Sequence, residues 1–197
     1  METIYTTREE WLTVAVDALS EVFKAIDVKL PAVRVSVGWP GGRGNKNAVI
    51  GQCWASAAAA DKVAQLFVSP RLDDAVQVLA VLTHELVHAV DDCKSGHKGA
   101  FTKIAKGVGL TGKMTATVAS EELASKLGLI ASALGGYPHA ALTDIGGAEG
   151  PKKQGTRMLK VECAEGSGYT VRMTRTWIDS VGCPVCPCHG VTMEEAA

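Results

Sequence analysis

The stretch from Val76 to Val90 constrains this chain more than any other. Val76, Leu79, Ala80, Leu82, Thr83, Leu86, Val87 and Val90 cover most of a helix circumference, and a helix that is apolar nearly all round belongs in an interior. Within it His84, Glu85, Leu86, Val87 and His88 spell HExxH. Residues four apart on a helix share one face, about 6 Å apart, so two imidazoles can grip one zinc ion while Glu85 addresses a metal-bound water. Without a metal, each of these polar groups buried among Val and Leu would cost about 1–3 kcal/mol.

Two ligands do not complete such a site; a third protein ligand is required, with the fourth position left to water. His97 is the first candidate. It follows His88 by nine residues in Ser95-Gly96-His97-Lys98-Gly99, a turn with enough glycine to fold back beside the helix. That spacing exceeds the six residues of the metzincin pattern HExxHxxGxxH. Asp91 and Asp92 compete as ligands, or serve as carboxylates orienting a ligand imidazole. His139 reads as a solvated loop residue, and Trp11, Trp39 and Trp54 as packing residues.

Around this helix the 197 residues are 47% hydrophobic and 21% charged, enough for one medium domain with a small appendage. Thr7 and Glu10 form a capping-box pattern, and Trp11, Val14, Ala15, Leu19, Val22, Phe23 and Ile26 recur with helical spacing. They predict a helix of about 20 residues stopped by Pro31. Val33, Val35 and Val37 alternate as a strand does. The run Trp39 to Asn47 is turn chemistry, and its Arg43, Lys46 and Asn47 read as solvated rather than as cleft donors. Val49–Trp54 and Val63–Val68 read as further strands of a small antiparallel sheet. Helices are expected over Lys98–Val108 and Ser120–Leu134. The Gly- and Pro-rich stretch from Gly135 loses periodicity, which predicts a domain over 1–134, a linker over 135–157 and an appendage over 158–197. The fold class expected is α+β.

Charge narrows the partners. Twenty Lys and Arg against 21 Asp and Glu leave a net charge of −1, so no global field draws the chain to nucleic acid or to an anionic membrane. Arg8, Glu9 and Glu10 stand where a secretory signal would be apolar, and no apolar run approaches the roughly 20 residues of a membrane span. A soluble, cytoplasmic protein is expected.

Four of the six cysteines fall in the last 35 residues, the crowding of a metal knot rather than of a disulfide framework. Cys53 and Cys93 read as small buried hydrophobes. In the tail, Tyr169, Val171 and Met173 alternate with polar residues, suggesting a hairpin between Cys163 and the Cys183-x-x-Cys186 knuckle. Cys163, Cys183 or Cys188, Cys186 and His189 make a Cys3His set for one structural zinc. From Lys152 to Met193 six bases face three acids, a net +3. With Tyr169 and Trp177 nearby, that allows a nucleic-acid contact, though a solvated hairpin face with a packed Trp accounts for it equally.

The segments HELVHAVDDCKSGHKGAF, GLTGKMTAT, IGQCW and LFVSPRLDDAVQVLAVLTHELVH resemble the SprT-like metallopeptidases, compact phage and bacterial members above all. The resemblance implies a zincin-like domain in which His84, His88 and His97 bind one catalytic zinc and Glu85 is the general base. It implies hydrolysis of peptide bonds in a protein substrate, one attached to DNA in the case of the related Spartan-type proteases. It also implies a C-terminal zinc ribbon. Family ribbons resemble CxxCGY where this chain has Cys163-Ala164-Glu165-Gly166-Ser167-Gly168-Tyr169, so one thiol of the first knuckle is missing. The rival expectation is a non-catalytic zinc-containing adaptor, or a transcription-associated nucleic-acid-binding protein.

Overall fold

The computed structural model describes residues 4–38, 49–142 and 158–196. The chain divides into two compact units, Met1–Thr143 and Asp144–Ala197, and its mixture of helices and small sheets is α+β.

In the first unit, α1 (Arg8–Lys24) starts as its sequence dictates. The Thr7 hydroxyl accepts from the Glu10 amide and the Glu10 carboxylate accepts from the Thr7 amide, which satisfies two donors that a helix start would otherwise strand. The helix stops at Lys24, well before Pro31, because the chain turns at Asp27, whose φ is +57°. Trp11, Leu12, Ala15, Leu19 and Phe23 bury its inner stripe.

Strands β1 (Val33–Val37), β2 (Gly51–Trp54) and β3 (Ala64–Val68) form one sheet in the order β1-β3-β2. The expected antiparallel sheet is corrected to a mixed one: β3 runs antiparallel to β2 but parallel to β1. Period-two alternation reveals that a segment is a strand, not which neighbour it joins or in which direction. Ala64, Leu66 and Val68 of the central strand face the core, and β2 is left as an edge.

Helix α2 (Ala75–Val90) is capped by Asp74, whose side chain accepts from the Gln77 amide. It packs against β2, β3 and α4 (Glu121–Leu134), so it is the interior helix its composition demands. Helix α3 (Gly99–Gly107) follows after a bend. A hairpin of β4 (Leu110–Lys113) and β5 (Ala116–Ala119) comes next. Leu110 is its one buried residue, and in β5 half-buried Thr117 and Ala119 alternate with exposed Ala116 and Val118, so the inner side carries a threonine while the valine faces out.

The first unit extends past Leu134. Arg8 donates from Nε to the Pro138 carbonyl (3.0 Å), from Nη1 to Pro70 (3.2 Å) and from Nη2 to Ala140 (2.6 Å). Trp11 Nε1 donates to the Gly135 carbonyl, and Tyr137 stacks edge-on against Trp11 with centroids 5.0 Å apart. Residues 135–140 of the expected linker are therefore tied to α1. Their hold is through backbone carbonyls, which leaves no periodicity to read.

The second unit pairs β6 (Leu159–Glu162) with both β7 (Thr170–Met173) and β8 (Glu194–Glu195), in the order β7-β6-β8. A short helix, α5 (Arg175–Val181), follows the hairpin. Its core is small: Val161, Cys163, Cys186 and Met193. Among the described residues no helix is long and apolar enough to cross a membrane.

Candidate metal centre

One turn of α2 points His84 and His88 to the same side, and the bend after α2 returns His97 to meet them. The ligand atoms of the three imidazoles lie within 4.8 Å of one another, and Nε2 of His88 stands 3.2 Å from Nε2 of His97. The bend is built by the two aspartates that competed as ligands. Asp91 accepts from the Ser95 amide and hydroxyl, and Asp92 accepts from the Ser56 amide at 2.8 Å. Both are bend-fasteners, and His97 is the residue delivered.

Two partners of the histidines carry no signal in the sequence. The Thr117 hydroxyl of β5 lies 2.8 Å from Nδ1 of His84, which leaves Nε2 of that ring for a metal. Phe101, fully buried on α3, sits beneath all three rings, with centroids 5.0, 4.3 and 5.0 Å from those of His84, His88 and His97. Thr117 lies on the inner side of a strand whose valine faces out, and Phe101 reads as an ordinary core residue; only the folded chain brings them to the site.

Burial sets the charge states. It pushes His84 and His88 down to about 4, each helped by a neighbouring imidazole, and lowers His97 too. The three rings are thus neutral at physiological pH, the form that ligates metal. Burial pushes Glu85, only 5% exposed, up to about 8. A dication beside it would reverse that preference. Its carboxyl lies against the backbone of β2 at Gly51, where an added Cβ would come within 3 Å of it.

His84, Glu85, His88 and His97 open on a cavity of about 770 Å3 between β2, α2, the bend and the β4–β5 hairpin. That is the size of a pocket that holds a ligand. Its remaining walls are largely apolar, with Ile50 and Val118 among the lining. Cys53 and Cys93 also line it. Neither is the isolated buried hydrophobe expected: both are half-buried, their sulfurs 3.3 Å apart. Trp39, Arg43, Lys46 and Asn47 lie outside the described residues.

In the second unit Cys163, Cys186 and His189 form a second group whose ligand atoms lie within 4.8 Å. Nδ1 of His189 is 3.4 Å from Sγ of Cys163, and the Ser167 hydroxyl is 3.4 Å from Sγ of Cys186. Hydrogen bonds from Ser167, then His189, pull the Cys163 thiol down to about 6, toward the thiolate that metals take. Cys183, expected in this set, is not in the group, nor is the exposed Cys188. The Cys-x-x-Cys spacing is present, but the chain contributes only Cys186 from it.

Compared with protein-family models, curated proteins and solved structures, the chain finds no significant match.

Proposed function

We propose that this protein is a zinc-dependent peptidase of the SprT-like type. The observation that carries the reading is the convergence of His84, His88 and His97 within 4.8 Å, with Glu85 buried beside them on the same helix and facing the same cavity. Three neutral imidazole nitrogens suit zinc, a borderline-soft ion that takes N and S donors. A purely structural site has no use for an unligated carboxylate between two of its histidines.

Zinc held by these rings would supply Lewis-acid polarisation of a carbonyl and a water acidic enough to attack near neutral pH. Glu85 accepts the proton of the attacking water and returns it to the leaving amine. Thr117 keeps the His84 ring in one tautomer, and Phe101 fixes the plane of all three. The apolar walls exclude bulk water. Among the described residues strand β2 is an edge of its sheet along the cleft, to which an extended polypeptide can add as a further strand. That favours a protein substrate.

The group of Cys163, Cys186 and His189 supports a second, structural zinc in a ribbon-like module whose small core leaves folding energy for a metal to supply. Exposed Tyr169 and Trp177 offer stacking faces to single-stranded DNA, but residues 158–197 carry three bases against five acids, so DNA as a partner, and with it a substrate attached to DNA, rests on the family resemblance.

The test compares wild type with Glu85→Gln. Equal zinc content, with casein or self-cleavage lost only in the variant, is the expected result. Zinc-loaded wild type that cleaves nothing, with or without single-stranded DNA, would return the protein to the adaptor class.

A further inference from the structure

Cys53 and Cys93 stand 40 residues apart in the chain and meet at one wall of the cleft, Sγ to Sγ 3.3 Å. Cys53 lies on edge strand β2, two residues after Gly51, the position on which Glu85 rests. Cys93 lies in the bend between His88 and His97. Asp92 and Cys93 both hold left-handed backbone, φ +51° and +56°, a conformation that non-glycine residues keep only when their surroundings impose it. Here the Ser56 amide holds Asp92 and the Cys93 amide donates to the His88 carbonyl at 2.9 Å. Both thiols line an open cavity and are half-buried, so a small oxidant has access to them. Forming a bond asks the sulfurs to approach by only about 1 Å.

We propose that Cys53 and Cys93 form a reversible disulfide under hydrogen peroxide, fastening strand β2 to the bend that delivers His97. One sulfur attacks a peroxide oxygen, the O–O bond breaks, water leaves and a sulfenic acid remains. The second sulfur attacks the first, the S–O bond breaks and a second water leaves. Two thiols give up two electrons and two protons, and one hydrogen peroxide is reduced to two waters. Burial keeps both groups as thiols at neutral pH, so the bond forms over minutes to hours rather than at the speed of a dedicated sensor. The proposal stands apart from the peptidase reading, because none of its readouts is activity.

Full-length, zinc-loaded protein is exposed to hydrogen peroxide, alkylated, digested with trypsin and mapped by mass spectrometry. The expected product joins the peptides carrying residues 53 and 93, 2 Da lighter than their sum by loss of two hydrogens. Dithiothreitol removes it, and either Cys53→Ala or Cys93→Ala prevents it. Amide exchange over residues 91–98 slows severalfold in the oxidised protein. Alkylated residues 53 and 93, or separate sulfinic acids on each, in a tube where a reference thiol peptide is fully oxidised, overturn the proposal. A mapped bond with unchanged exchange overturns the fastening.

Discussion

Gly51 and Glu85 share a space that has no room for one more atom. A Cβ on Gly51 would lie 2.4 Å from Oε1 of Glu85 and 2.6 Å from Cγ1 of Val81. The carboxyl therefore rests directly on the backbone of β2, and strand and proton-carrier are positioned by each other. Gly51→Ala is expected to move the carboxyl by about 1 Å and to lower peptide cleavage about 100-fold. Zinc content, measured by atomic absorption on the same sample, should stay at the wild-type value. Full activity in the variant would show that the carboxyl's seat does not matter.

Thr117 holds Nδ1 of His84 at 2.8 Å, and removing such a partner from a ligand imidazole typically costs 10–100-fold in metal affinity. Thr117→Val, close in shape, should weaken zinc by about that factor in a chelator competition while leaving the melting profile of the metal-free protein nearly unchanged.

The first unit of the metal-free protein should have its stability maximum near pH 6.5. His84 and His88 titrate near 4 when folded and near 6.5 when unfolded, so the unfolded chain binds the extra protons between those values and acid destabilises the fold. Glu85 titrates near 8 when folded and near 4.5 when unfolded. Here the folded state holds the extra proton, and stability falls as pH rises toward 8. In the first unit the lowered histidines outweigh one carboxyl below pH 6.5 and Glu85 sets the slope above it, whereas Cys163 of the second unit, held near 6, acts there in the opposite sense. Denaturant midpoints from pH 4 to 9 check this, and zinc should abolish the alkaline decline because the dication favours the carboxylate.

The tail divides its cysteines. Cys163→Ser, Cys186→Ser or His189→Ala should each lower zinc stoichiometry by about one, whereas Cys183→Ser should not. An equal loss from Cys183→Ser would restore the knuckle that the Cys-x-x-Cys spacing suggests and overturn the three-residue group.

What the linear chain discloses depends on how each contact is made. The HExxH turn is legible because an interior helix leaves polar residues no other employment, and His97 because glycines flank it where a bend is needed. The Thr7–Glu10 cap is legible because its geometry is local. Thr117 reaches His84 across 33 residues from a hairpin with almost no buried face, and nothing in Thr-Ala-Thr marks it. Arg8 grips carbonyls beyond Leu134, and a carbonyl has no identity in a sequence. Direction of pairing hid the parallel β1–β3 contact, and spacing alone joined Cys183 to Cys163, Cys186 and His189, whose ligand atoms gather within 4.8 Å without it.

The phenyl ring of Phe101 beneath the three imidazoles has a thermodynamic consequence. The rings pack edge-on or tilted against a side chain of the hydrophobic core, so the entropy of gathering them is spent during folding and not when an ion arrives. Stripped of zinc, the first unit should remain a standing receptacle that refills as fast as the ion sheds its hydration shell. The tail, with four buried residues to hold it, has no such scaffold and should lose its shape along with its ion.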